Sequence, residues 1–138
     1  MARTPTNKTS LPPTPTRPSV ALTCVLAWVF PGAGHMLQGQ AGKALVFGAT
    51  LLPMYVLGLW FGGRLFPFEG SEPLVLLAGL AQWMMGAVRL LAGLVGAGQG
   101  NVVAVAYEYG NTFLIVAGLL NALVILDASD IARGRKPA

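Results

Sequence analysis

The sequence is poor in the residues that usually carry chemistry. It has one cysteine, one histidine and five acidic residues among 138. With Cys24 alone, neither an intrachain disulfide nor a cysteine metal cluster can form. Cys24 also lies inside an apolar run that mostly follows it, which argues against lipoprotein processing. His35 has no cysteine, histidine or carboxylate close in sequence, and metals need several ligands. Charge is scarce too. Only 10% of residues are charged and 54% are hydrophobic, with a mean hydropathy of +0.64. Soluble domains carry roughly 25% charged residues, and a small domain leaves much of its surface exposed. Long apolar runs in such a chain read as bilayer spans.

The formal net charge is +4, but basic residues sit mostly at the two ends: Arg3, Lys8 and Arg17, then Arg133, Arg135 and Lys136. A nucleic-acid binder needs its basic residues on one folded face or in a known module. Neither pattern is present. Basic ends on an apolar body read as cytoplasmic flanks of a membrane protein.

What is present is a run of four apolar segments. Residues 1–18 precede them as a Thr/Pro-rich cytoplasmic tail, expected to be disordered because its five prolines and few apolar residues leave nothing to bury. Spans are expected at about 19–37, 44–66, 73–95 and 111–130, forming a transmembrane domain over 19–132, with a basic tail at 133–138. Each approaches the ~20 residues that a helix needs to cross about 30 Å of hydrocarbon. Backbone facing lipid must satisfy itself, so the expected fold is all-α with four transmembrane helices. Both ends being basic, both are expected in the cytoplasm, which an even span number permits. Arg64, Glu69 and Glu72 then fall in a cytoplasmic loop, and Gln38 to Lys43 in a short outer turn. A competing reading makes residues 1–34 a cleaved signal peptide, with a basic front, a short apolar stretch and small residues after it.

The stretch Phe30 to Ala44 marks the first reversal. A phosphate loop needs a glycine five positions before Gly-Lys and a hydroxyl after it. Here Leu37 and Ala44 stand in those places. Pro31, Gly32, Gly34, Gly39, Gly42 and Lys43 are therefore read as a hairpin turn, where proline ends a helix and glycine lets the chain reverse.

Two groups of polar residues stand out. Arg89 lies within the third span, where a charge costs roughly 2.5–3.5 kcal/mol on insertion scales unless it snorkels or is paired. With His35 and Glu108 it is expected to form an intramembrane polar cluster near the outer side. Simple snorkelling to headgroups is the alternative. Asp127 and Asp130 lie on one helical face three apart, beside the basic tail. They are expected to form helix-end ion pairs, with Arg64 a further candidate. Asn121 is expected to bond across to another helix. Small residues recur at close-packing spacing: Ala44 and Gly48, Gly58 and Gly62, Ala92 and Gly96, Gly118 and Ala122. Gln82 to Met85 carry no cofactor motif, and neither a cofactor nor a metal is expected.

The stretch PGAGHMLQGQAGKAL resembles the bacterial branch of the two-transmembrane-hairpin (TM-two) domain group. Gly34, His35, Gly39 and Gly42 match its turn, while Met36, Gln38 and Gln40 replace an aromatic, a leucine and a basic residue. The tail AGLLNALVILDASDIARGRK looks like the end of small, uncharacterised bacterial membrane proteins with such a hairpin. The resemblance implies a multi-pass bacterial protein and carries no catalytic residues. The expected function is a non-enzymatic structural, scaffolding or accessory role in the inner (plasma) membrane. Its partners would be the lipid bilayer and further helices, in a homo-oligomer or a larger complex. The alternative is a small oligomeric channel or transporter. An intramembrane enzyme using His35 or Asp127 is least favoured, because no nucleophile–base set can be assembled.

Overall fold

A computed structural model describes residues 16–70 and 72–138; most of the expected N-terminal tail lies outside the described residues. Six helices follow in chain order: α1 (Val20–Val29), α2 (Ala33–Leu37), α3 (Ala41–Trp60), α4 (Pro73–Trp83), α5 (Ala87–Leu94) and α6 (Tyr107–Ala132). Only α3 and α6 are singly long and apolar enough to cross a membrane. The expected first span is broken into α1 and α2, and the third into α4 and α5.

The first break follows from local chemistry. Ser19 caps α1 by accepting the Leu22 N–H at 3.3 Å. Pro31 drives the residue before it out of the helical region, and Phe30 is extended, with φ −143°. Gly32 then takes φ +89°, and a Cβ there would run into the Ala44 backbone. The chain doubles back: Gly34 packs on the Thr23 carbonyl, Ala27 and Ala128. The stretch expected as one turn is thus two, at Phe30–Gly32 and at Gln38–Gln40, with α2 between them.

The second break has no proline. Trp83 to Gly86 form a turn, and α5 leaves it bent by 106° from α4. Gly86, at φ +52°, lies against the Trp28 carbonyl with no room for a side chain. The chain returns toward its starting level, where Leu65 N donates to Gly98 O at 2.8 Å and Asn101 N to Gly62 O at 2.9 Å.

Helices α1, α3 and α4 pack mainly on α6, with α2 touching it and α5 resting on α1. Helix α3 runs antiparallel along it: Phe47 and Val124 line one groove at one end, and Gly58 meets Gly110 and Leu114 at the other. Helix α1 meets α6 where Asn121 reaches the Ala27 carbonyl, and α2 returns along the carboxyl-end half of α6, where a Cβ at Gly34 would touch Ala128. Helix α4 lies on the amino-end half, its Ala81 carbonyl seated on Gly118. The two helical hairpins therefore come from opposite ends of α6 and meet near its middle. Leu51, Tyr55, Met85, Ala92, Leu114, Ala117 and Val124 form the core.

Candidate functional site

Three polar centres are spaced along α6. The central one is the joint between the hairpins. A helix end leaves carbonyls without intrahelical partners, and here two such ends meet inside the protein. Asn121 is fully buried and its Nδ2 donates to Ala27 O at 3.3 Å and to Met84 O at 2.6 Å. The Trp28 indole Nε1 donates to Trp83 O at 2.9 Å. The expected interhelical role of Asn121 is observed, but it closes two broken helices rather than bridging continuous ones.

The second centre lies at the carboxyl end of α6. His35 is fully buried, and its Nε2 lies 3.0 Å from Asp127 Oδ2. The other carboxylate oxygen accepts from Lys136 Nζ at 2.6 Å. That carboxylate holds the Lys136 ammonium above its ordinary pKa, by hydrogen bonding and charge. Gln38 Nε2 donates to Ala128 O at 2.7 Å, and the Phe47 ring packs 5.0 Å from the imidazole. Asp130 pairs with Arg135 at 3.5 Å.

The third centre lies at the amino end. Arg89 donates to Phe66 O at 2.6 Å and its guanidinium stands 4.6 Å over the Trp83 ring. Gln82, fully buried, ties the same segment down: its amide accepts from Phe66 N and donates to Arg64 O, both at 2.9 Å. Arg64 N donates to Asn111 Oδ1 at 2.8 Å.

The expected cluster of His35, Arg89 and Glu108 is not brought together. His35 pairs with Asp127, which is nineteen residues from Glu108 on one continuous helix, a rise of about 28 Å. Arg89 is instead held by a carbonyl and an indole. The helix-end ion pairs of Asp127 and Asp130 are present, but their partners are His35, Lys136 and Arg135. Arg64 stands at the opposite end, beside Gln99 and Gly100. The reason for both differences is the same. A hairpin that turns back at Pro31 returns His35 to the end it started from, whereas a full span would have carried it across. The cue was present in the mostly apolar stretch Val20 to Phe30, eleven residues long and too short for a span.

Among the described residues, no group of three or more His, Cys, Asp or Glu side chains is placed to hold a metal ion. No curated protein and no solved structure is significantly similar to the chain. The sequence model of a family of unknown function (DUF6677) matches residues 22–137, and the chain belongs to that family.

Proposed function

We propose that the protein is a multi-pass component of the bacterial inner membrane that acts through helix packing, as a structural or accessory subunit without catalytic activity. In this reading α3, about 30 Å long, and α6, about 39 Å, cross the bilayer. The hairpins α1–α2 and α4–α5 enter from opposite faces and return. Irregular backbone at membrane depth is tolerated where it is buried in protein, and the joint at Asn121 supplies that burial.

The basic residues fit this topology. Arg17, Lys43, Arg133, Arg135 and Lys136 lie at the carboxyl end of α6, against Arg64 and Arg89 at the other. The positive-inside bias puts the carboxyl end, and both described ends of the chain, in the cytoplasm. The resemblance of Gly34-His35 to the TM-two turn belongs to this reading, with the hairpin returning to its own side.

One observation carries the structural role. The buried side chains of Asn121, Gln82 and His35, and the half-buried Trp28, bond to backbone or to side chains of the same chain, so they hold helices in place rather than surround a reactant. Crosslinking in native membranes tests it. A defined homo-oligomer or a constant set of membrane partners is expected. A strict monomer with no crosslinked partner would contradict it.

A second reading, a small oligomeric channel or transporter, is favoured by the two broken helices meeting at mid-depth, a construction found at transporter binding sites. It predicts solute or ion flux in liposomes that Asn121→Leu changes. Absence of flux in oligomeric, folded protein would remove it.

A further inference from the structure

A recess of about 440 Å³ opens at the amino end of α6, with Arg64, Phe68, Trp83, Arg89, Gly93 and Gln99 in its lining. It brings two guanidinium-bearing residues to one small space and no carboxylate. The three ion pairs found among the described residues involve His35, Asp127, Asp130, Arg135 and Lys136, all at the other end. Glu69, Glu72 and Glu108 share the amino end with the recess but do not line it. Arg89 is held in place from behind by Phe66 O and from the side by Trp83. Its Nε, like the Trp83 indole N–H, is buried with no partner. Arg64 has its backbone fixed on both sides, through Asn111 and Gln82, while its side chain is exposed.

Two cationic residues at one recess, the Arg89 side chain fixed and the Arg64 side chain free to reach in, without a counter-charge in the lining and beside apolar walls, favour an anion. A guanidinium fork matches the oxygens of phosphate. Phe68 stacks on Trp83 at 5.6 Å, and the two rings form an apolar wall of the recess. We propose that this recess binds the phosphate group of an anionic phosphate ester. A phospholipid headgroup and a soluble phosphate present the same chemistry, so the test must separate these two sources.

The full-length protein in a neutral detergent is titrated calorimetrically with short-chain phosphatidylglycerol, short-chain phosphatidylcholine and inorganic phosphate. Saturable binding of phosphatidylglycerol, at least about tenfold tighter than phosphatidylcholine, is expected for a lipid source. Saturable binding of inorganic phosphate that competes with phosphatidylglycerol supports the same site with a soluble source. Arg64→Gln should weaken either by about tenfold, the worth of one charge-assisted hydrogen bond. Gly93→Glu should abolish it, because a side chain there meets nothing within 4 Å and brings a carboxylate into the recess. Both variants are checked for unchanged thermal unfolding, since neither removes a contact that holds the fold. Equal affinity for the two lipids, no saturable binding, or binding indifferent to both folded variants would overturn the proposal.

Discussion

Asn121 has no exposed surface, yet its amide is the only side chain that donates to carbonyls of both hairpins among the described residues. Replacing it with leucine keeps the volume and removes both donors. Each carbonyl left buried without a partner costs about 1–3 kcal/mol. Asn121→Leu should therefore lower the thermal midpoint in detergent clearly. An unchanged midpoint would mean that the joint does not depend on this amide. At the carboxyl end, Lys136 offers a titration. Its folded pKa is raised by Asp127, so its contribution is complete below the unfolded lysine value and is lost as pH rises through the raised one. Wild type should exceed Lys136→Met in thermal midpoint at neutral pH, and the two should converge at strongly alkaline pH. A gap that persists there would assign the effect to packing of the lysine stem.

At the scale of elements, close packing decides. Helix α4 sits on α6 through Gly118, where no Cβ fits against the Ala81 backbone. Gly118→Val should cost at least the 1–3 kcal/mol typical of overpacking, read as a lower unfolding midpoint. Gly42, in the first turn of α3, faces open space, and Gly42→Ala should raise stability by about 0.5–1 kcal/mol. The spacing of small residues was legible in the sequence, and Gly58 and Gly118 do sit at tight contacts. Their partners were not legible, because spacing along one helix says nothing about which helix approaches. The α4–α5 break was also hidden. Trp83-Met84-Met85-Gly86 is apolar throughout, and only Gly86 hints at a positive φ. The α1–α2 break, by contrast, was written in Pro31-Gly32, although the same residues also suit a turn at the end of a span.

At the scale of the whole molecule, the helical class and the apolar character followed from composition, because so few charges cannot clothe a soluble surface. The arrangement of the ends did not follow. Charge counting requires only an even number of crossings when both ends are basic, and two crossings with two returning hairpins satisfy it as well as four. The two arrangements differ in where they put the connections. Counting four spans puts Gly42 outside and Glu69 in the cytoplasm; the proposed two-crossing topology reverses both. This explains why His35 pairs with Asp127 rather than with Glu108, and why Lys43 shares an end with Lys136. The most direct test uses single cysteines at Gly42, Glu69 and Arg135 in a Cys24→Ser background, labelled in intact cells with a membrane-impermeant maleimide. The two-crossing account predicts that position 69 labels from outside, while positions 42 and 135 label only after permeabilisation. Labelling of position 42 from outside together with protection of position 69 would contradict it.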